Sequence, residues 1–233
     1  MCTVSFIPLK EGFLLTSNRD EKSYRPTISP QVYSENEIKL LYPKDEKAGG
    51  TWIVARNDGT SIILLNGAFT NHTKQSNYNK SRGIILIEIV QAKFPLFYFQ
   101  EMDLENIEPF TLIIFQLHTL TEVKWDGNEK HVFEKSIRKP HIWSSATLYS
   151  RKQKNLRKQW FEDFCRHNEP LSMEKALLFH ATKEEDNTEN GLVINREDKT
   201  KTVSITQLLL TNKNVQMTYV DRINNETIEK ITF

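Results

Sequence analysis

The chain has 233 residues, 38% of them hydrophobic and 10% aromatic, and its 31 basic and 30 acidic side chains leave a formal net charge of +1. That balance excludes a dedicated nucleic-acid surface or a polybasic membrane patch, and no run approaches the ~18 apolar residues of a membrane span. The opening MCTVSFIPLKEG has no basic n-region and only a short apolar run, so it does not read as a signal peptide. Two cysteines, Cys2 and Cys165, form no disulfide or metal pattern and point to a reducing cytoplasm.

CTVSFIP and GFLLTS are predicted as paired strands around the polar turn Lys10-Glu11-Gly12. Pro26 to Gly50, with three prolines and a closing Gly-Gly, reads as a loop-rich stretch. A hairpin is expected in TWIVARNDGTSIILLNG, turned by Asn57-Asp58-Gly59. Ser81 offers an N-cap for a helix through RGIILIEIVQAKF, whose apolar spacing suits packing on a sheet. Strands follow at FTLIIFQL, TEVKWDG and KHVFEK. A basic amphipathic helix is predicted from Ser150 to Arg166, with Leu156, Trp160, Phe161 and Phe164 on its buried side. SMEKALLFHA reads as a shorter helix, and the chain closes on strands at KTVSITQLLL, NVQMTYVD and ETIEKITF. Antiparallel hairpins covered by amphipathic helices imply a layered α+β architecture. No linker or repeat interrupts the pattern, so residues 1–233 are expected to form a single domain.

Familiar catalytic signatures are absent: no G-x-S-x-G, no H-E-x-x-H, no glycine-rich phosphate loop, no C-x-x-C. The six histidines show no ligand spacing, so no metal centre and no cofactor are expected. Cys2 carries the chemistry that remains. Removal of Met1 would leave one residue bearing both a thiol and a free α-amine. The amine, with a reference pKa of about 7.7–8.0, can act as general base. The thiol, at about 8.5, is a nucleophile that a nearby cation improves. The plain alternative is a small apolar strand residue that keeps its Met. Ser17-Asn18-Arg19-Asp20-Glu21 bears on the choice: if the first two strands pair, residues 18 to 20 lie near the register of Cys2. Arg19 would then stabilise a thiolate and Asp20 orient the α-ammonium. A surface ion pair at a strand end is the competing reading.

The ordered motifs MCTVSF, FLLTSNRDE, RP, AGGTW, LLNG and SRG resemble the family named for its NRDE sequence, which includes transport and Golgi organisation protein 2. The match covers chiefly the first ~90 residues. Later, SSATLYSRKQKNLRKQWF is similar to the family's Ser-Asn-Ala segment with its following helix, and VSITQLLL to its penultimate strand region. That family in turn resembles the N-terminal nucleophile hydrolases of the penicillin V acylase and bile salt hydrolase type. The resemblance implies a four-layer αββα sandwich of antiparallel sheets, with Cys2 as nucleophile and Arg19 and Asp20 as its basic and acidic partners. It makes Asn66 an oxyanion donor together with a backbone N–H, and assigns Asn18 and Ser145 to substrate binding. Without the family, Asn66-Gly67 reads equally well as a turn dipeptide.

Three departures stand out. The acylases place their arginine just before the Asn, whereas Ser17 stands there and Arg19 follows. Ser144-Ser145-Ala146 replaces Ser-Asn-Ala, so position 145 cannot present both an amide donor and a carbonyl. The TVSIT segment lacks the acylases' late arginine, although Arg196 and Arg222 are near in sequence. Two functions are therefore expected. One is a cytoplasmic amidohydrolase cleaving a linear carbon–nitrogen amide bond through an acyl-enzyme on Cys2, with a small-molecule amide or acyl compound as partner. The other is a non-catalytic binding or trafficking protein for haem or a lipid-like acyl ligand; haem would need an axial Cys or His beside an apolar cleft, a role open to Cys2.

Overall fold

The computed structural model describes residues 3–35, 37–183, 187–224 and 229–232. The chain divides into two compact units, Met1–Arg25 with Arg138–Phe233, and Pro26–Ile137.

In the first unit the expected hairpin is present as β1 (Thr3–Leu9) and β2 (Gly12–Lys22). Its turn needs glycine: Gly12 has φ +129, and a Cβ there would stand 2.1 Å from the Leu210 carbonyl oxygen. β2 does not stop before the charged stretch. It runs through Asn18, Arg19 and Asp20 because a later strand, β11 (Thr200–Leu210), pairs with it as far as Lys22. β10 (His141–Ser144), β12 (Val215–Asp221) and β13 (Glu229–Thr232) complete an antiparallel sheet in the order β10-β1-β2-β11-β12-β13. Helices α3 (Arg151–His167) and α4 (Met173–His180) cover one face, where Ile7, Leu14, Phe161, Ala176, Phe179 and Leu192 form an apolar cluster. α3 begins with a reciprocal Ser150–Gln153 capping box. Phe161, Trp160 and Phe164 of the expected buried side do pack on the apolar cluster, and Leu156 alone does not. Leu156 is 39% exposed, while Arg157 is 1% exposed and follows the i, i+4 row to Phe161.

The second unit holds β3 (Thr27–Glu35), β4 (Ile38–Asp45), β5 (Ile53–Arg56), β6 (Ser61–Asn66), β7 (Phe110–Gln116), β8 (Thr119–Trp125) and β9 (Lys130–Lys135), antiparallel and in sequence order. The first pair corrects the loop-rich reading of Pro26 to Gly50. β3 is an edge strand, and Pro30 falls where its register shifts between Ile28 and Gln31, a position that needs no ladder donor. α1 (Arg82–Gln91) starts at the expected Ser81 cap and buries Ile85, Leu86, Ile89 and Val90. A short α2 (Pro95–Glu101), led by its proline, was not expected from periodicity. The AGGTW and SRG motifs meet here: a Cβ on Gly50 would lie 2.4 Å from the Gly83 carbonyl carbon, so the glycines let α1 approach the backbone of the β4–β5 connection.

Candidate active site

β1 begins at Thr3, which is flanked on both sides: it pairs with Asn18 of β2 and with Ser144 of β10. Asn18 is fully buried and its amide is fully directed. Its Nδ2 donates to the backbone oxygens of His180 (3.0 Å) and Leu192 (2.9 Å), so its Oδ1 must be the acceptor for His180 Nδ1 at 2.6 Å. His180 Nε2 is then an acceptor, and the Ser5 hydroxyl donates to it at 2.7 Å. Burial, with the Arg157 charge second, pushes the imidazole down to about 3, so the ring is neutral at physiological pH.

Asp20 lies two residues further along the same face of β2. Its Oδ1 accepts from the Thr202 hydroxyl at 2.5 Å, and its Oδ2 accepts from the Tyr149 hydroxyl at 3.1 Å. The Tyr149 ring carries the Arg157 guanidinium 3.7 Å from its centre, a cation–π stack, and the Arg196 guanidinium at 5.5 Å. Arg157 also donates to the Thr3 hydroxyl and to the carbonyls of Asn190 and Gly191. No carboxylate lies within ion-pair distance of it among the described residues, and its Nε has no hydrogen-bond partner there. A buried cation thus grips the residue that follows Cys2.

The other face of β2 carries Ser17 and Arg19, both buried, opposite Thr206 and Ser204 of β11. Between Thr202 and Ser204 the β11 register shifts at Val203, whose carbonyl accepts from the Arg222 backbone N–H at 2.9 Å. The two late arginines that the sequence could not place therefore both come to this unit, Arg222 at the bulge and Arg196 over Tyr149. Burial lowers the Arg222 pKa. Ser145 is fully buried just after β10, and its hydroxyl lies 3.0 Å from the Thr147 hydroxyl and accepts from the Thr147 N–H at 3.3 Å.

Among the expected site residues, Asn18, Arg19, Asp20 and Ser145 thus share the first unit. Asn66 stands in the second, at the end of β6 opposite Phe110, before a turn at Gly67 (φ +77) whose carbonyl accepts from the Thr111 hydroxyl. Cys2 lies outside the described residues. Three participants escaped the sequence reading. His180 sat in a helix as one histidine among six, Arg157 was not among the residues expected on the buried side of α3, and Tyr149, though inside SSATLYSRKQKNLRKQWF, was given no role. Only the Arg157–Phe161 spacing on a helix otherwise rich in exposed charge could have signalled one of them. Among the described residues no group of three His, Cys, Asp or Glu side chains could hold a metal ion, and no helix is long and apolar enough to cross a membrane.

Two antiparallel sheets bearing few helices form a fold shared with solved hydrolase structures. An N-acylethanolamine-hydrolyzing acid amidase ortholog from Caenorhabditis elegans matches with a TM-score of 0.62 at 11% identity, covering 89% of this chain and 92% of that one. Two variants of the conjugated bile acid hydrolase from Clostridium perfringens match with TM-scores of 0.54 and 0.52, at 9% and 10% identity. They cover 99% and 100% of this chain, and 92% and 96% of theirs. The expected α+β sandwich class is the fold of these structures. No curated protein matched the chain in sequence. The model of the Transport and Golgi organisation 2 family matches residues 1–227, and the chain belongs to that family.

Proposed function

We propose that this protein is an amidohydrolase that cleaves a linear carbon–nitrogen amide bond through an acyl-enzyme on Cys2, after loss of Met1. The observation that supports the reading is the register around Thr3. Arg19 and Ser145 are each one residue beyond the two partners of Thr3, as Cys2 is one residue before it. The thiolate attacks the amide carbonyl, the α-ammonium protonates the leaving amine, and the α-amine then activates the water that hydrolyses the thioester. Arg19 holds the thiolate by charge. Asp20 keeps its expected role of orienting the α-ammonium; Asn18, expected to bind substrate, instead holds β2 in place, its amide being spent on His180 and Leu192. Ser145 contacts substrate, and Asn66 keeps its assignment as oxyanion donor. In this reading residues 1–233 act as one domain in a reducing cytoplasm.

The test is turnover of a panel of N-acyl amides. Activity should vanish in Cys2→Ala and in protein that retains Met1, leave a trace in Cys2→Ser, and fall roughly 10²–10³-fold in Asn66→Ala. One observation favours the second reading, a non-catalytic binder of haem or an acyl ligand: the Ser145 hydroxyl is engaged by Thr147. Saturable binding that survives a retained Met1, without hydrolysis across the panel, would establish the binder instead.

A further inference from the structure

In the second unit, α2 is apolar on both sides. Toward the sheet it buries Pro95 and Phe99, the latter edge-on to Phe110 of β7 with ring centres 6.2 Å apart. Away from the sheet, Phe94 at the N-cap, Phe97 and Tyr98 follow the i, i+3, i+4 spacing of one helical face, and they are 55%, 63% and 39% exposed. A surface helix ordinarily turns polar residues outward. Beside this row stands Leu117, 77% exposed, at the tip of the β7–β8 turn. The two are tied together: the Gln116 side chain donates to the Lys93 carbonyl at 3.0 Å and to the Thr60 hydroxyl at 3.3 Å. Leu117 and His118 have φ 48 and 58, left-handed values that such a turn normally gives to Asn and Gly. The apolar tip is therefore kept at a cost in backbone energy, a mark of function rather than of folding.

From this patch we infer that the second unit docks on the surface of a phospholipid bilayer. Phe94, Phe97 and Leu117 enter the boundary between head groups and acyl chains, while the Tyr98 hydroxyl stays at head-group level and the Lys93 ammonium meets lipid phosphate. Area and charge choose a bilayer over a second copy of the chain. At about 200 Å² per side chain, the four apolar residues expose on the order of 450 Å², roughly half of the ~800 Å² per partner that a stable dimer buries. The Lys93 Nζ lies 5.5 Å from the centre of the Phe94 ring, and no carboxylate pairs with it among the described residues. Glu101, the acid on the same helix, lies about two turns further on. One lysine among aromatic rings is not a polybasic patch, so apolar insertion leads and charge is second. The inference does not depend on Cys2: it stands whether the chain hydrolyses amides or only binds acyl ligands.

The experiment centrifuges the full chain with sucrose-loaded vesicles of phosphatidylcholine, alone or mixed with phosphatidylserine. The protein should bind both, and the anionic mixture about fivefold more tightly. Phe97→Ser should weaken binding to either by about tenfold, the effect of one aromatic side chain left in water. Lys93→Gln should remove the preference for the mixture and keep the rest. Leu117→Asn is the variant that separates docking from folding, because Asn suits a left-handed turn. It should leave the melting temperature unchanged or raise it, and still weaken vesicle binding by about tenfold. Leu178→Ser, at an exposed position of α4 in the first unit, should change nothing. Wild-type protein that stays in the supernatant with both vesicles would overturn the proposal, as would binding that Phe97→Ser and Leu117→Asn leave intact. An equal loss in Leu178→Ser would also sink it, since adhesion would then be general to the surface. A lipid-free dimer in sedimentation velocity, abolished by Phe97→Ser, would assign the patch to a second copy instead.

Discussion

The interiors of the two units are built on different terms. The second unit buries Ile53, Val54, Ile62, Ile63, Leu112 and Ile113 along its central strands, and two of its buried charges, Arg56 and Glu122, are answered by opposite ones. Arg56 meets Asp58 at 2.6 Å, and Glu122 meets Lys124 and Lys135 at 2.8 Å each. Burial would raise the Glu122 carboxyl, but the two lysines outweigh it and lower its pKa. In the first unit Arg157 is met, among the described residues, by neutral oxygens and an aromatic face, and His180 is held neutral between Ser5 and Asn18. Desolvated polar groups cost stability unless fully bonded, so the second arrangement is explained better by a site than by folding. The lesson is that Arg56 and Glu122 are neutralised by ion pairs, whereas Arg157 and His180 are held by neutral groups.

That contrast can be broken most forcefully from the apolar side. Ile63→Ala in the centre of the second sheet should cost about 2–5 kcal/mol by urea unfolding. The cost should not depend on pH, and the alkylation rate of Cys2 in the folded protein should not change. A marked loss of Cys2 reactivity would show that the two interiors are not separable.

His180→Gln sharpens the other side. At pH 7 it should cost about 1–3 kcal/mol through hydrogen bonds lost to Ser5 and Asn18. The wild-type imidazole titrates near 6.5 when unfolded and at about 3 when folded. The folded state resists the proton, so the histidine's contribution is fully present above 6.5 and is lost as pH falls from 6.5 towards 3. Urea midpoints at pH 7, 5 and 4 should therefore fall more steeply in wild type than in the variant. Parallel slopes would mean that His180 is not held neutral.

Arg157→Met should change stability by no more than about 1–2 kcal/mol, since an apolar replacement removes a desolvated charge with no ion partner. It should nonetheless slow iodoacetamide modification of Cys2 at neutral pH by about tenfold, the effect of one unit in thiol pKa. A large loss of stability with unchanged labelling would make Arg157 a structural residue only. The smallest effect is expected at Cys165, half-buried on α3, where burial and then Glu169 and Glu162 push the thiol up to about 11. Cys165→Ser should leave turnover unchanged, and Cys165 should label far more slowly than Cys2.

Much of this was legible in the sequence where one local signal decided the outcome. The Asn57-Asp58-Gly59 turn, the Ser81 and Ser150 caps and the β1–β2 hairpin each follow from a few adjacent residues. The β3–β4 pair was missed because prolines mark strand breaks only in strands that need every donor, and an edge strand with a register shift does not. Asn18, Arg19 and Asp20 were found as a motif, but their separation onto two faces depends on β11, which pairs with them from about 180 residues away. His180 and Arg157 were invisible for the same reason: their partners Ser5 and Thr3 lie more than 150 residues earlier in the chain. Some motif residues serve the fold rather than the site. The glycines of AGGTW and SRG are explained by backbone approach alone.

The central claim is that Cys2, freed of Met1, forms an acyl-enzyme. Intact-mass spectrometry of the native protein, quenched in acid during turnover of an N-acyl amide, measures both halves at once. The account predicts a chain lacking Met1 that gains the mass of the acyl group, with the adduct mapping to Cys2 and absent from Cys2→Ala. A chain that retains Met1, or an adduct on Cys165 or on none, would contradict it.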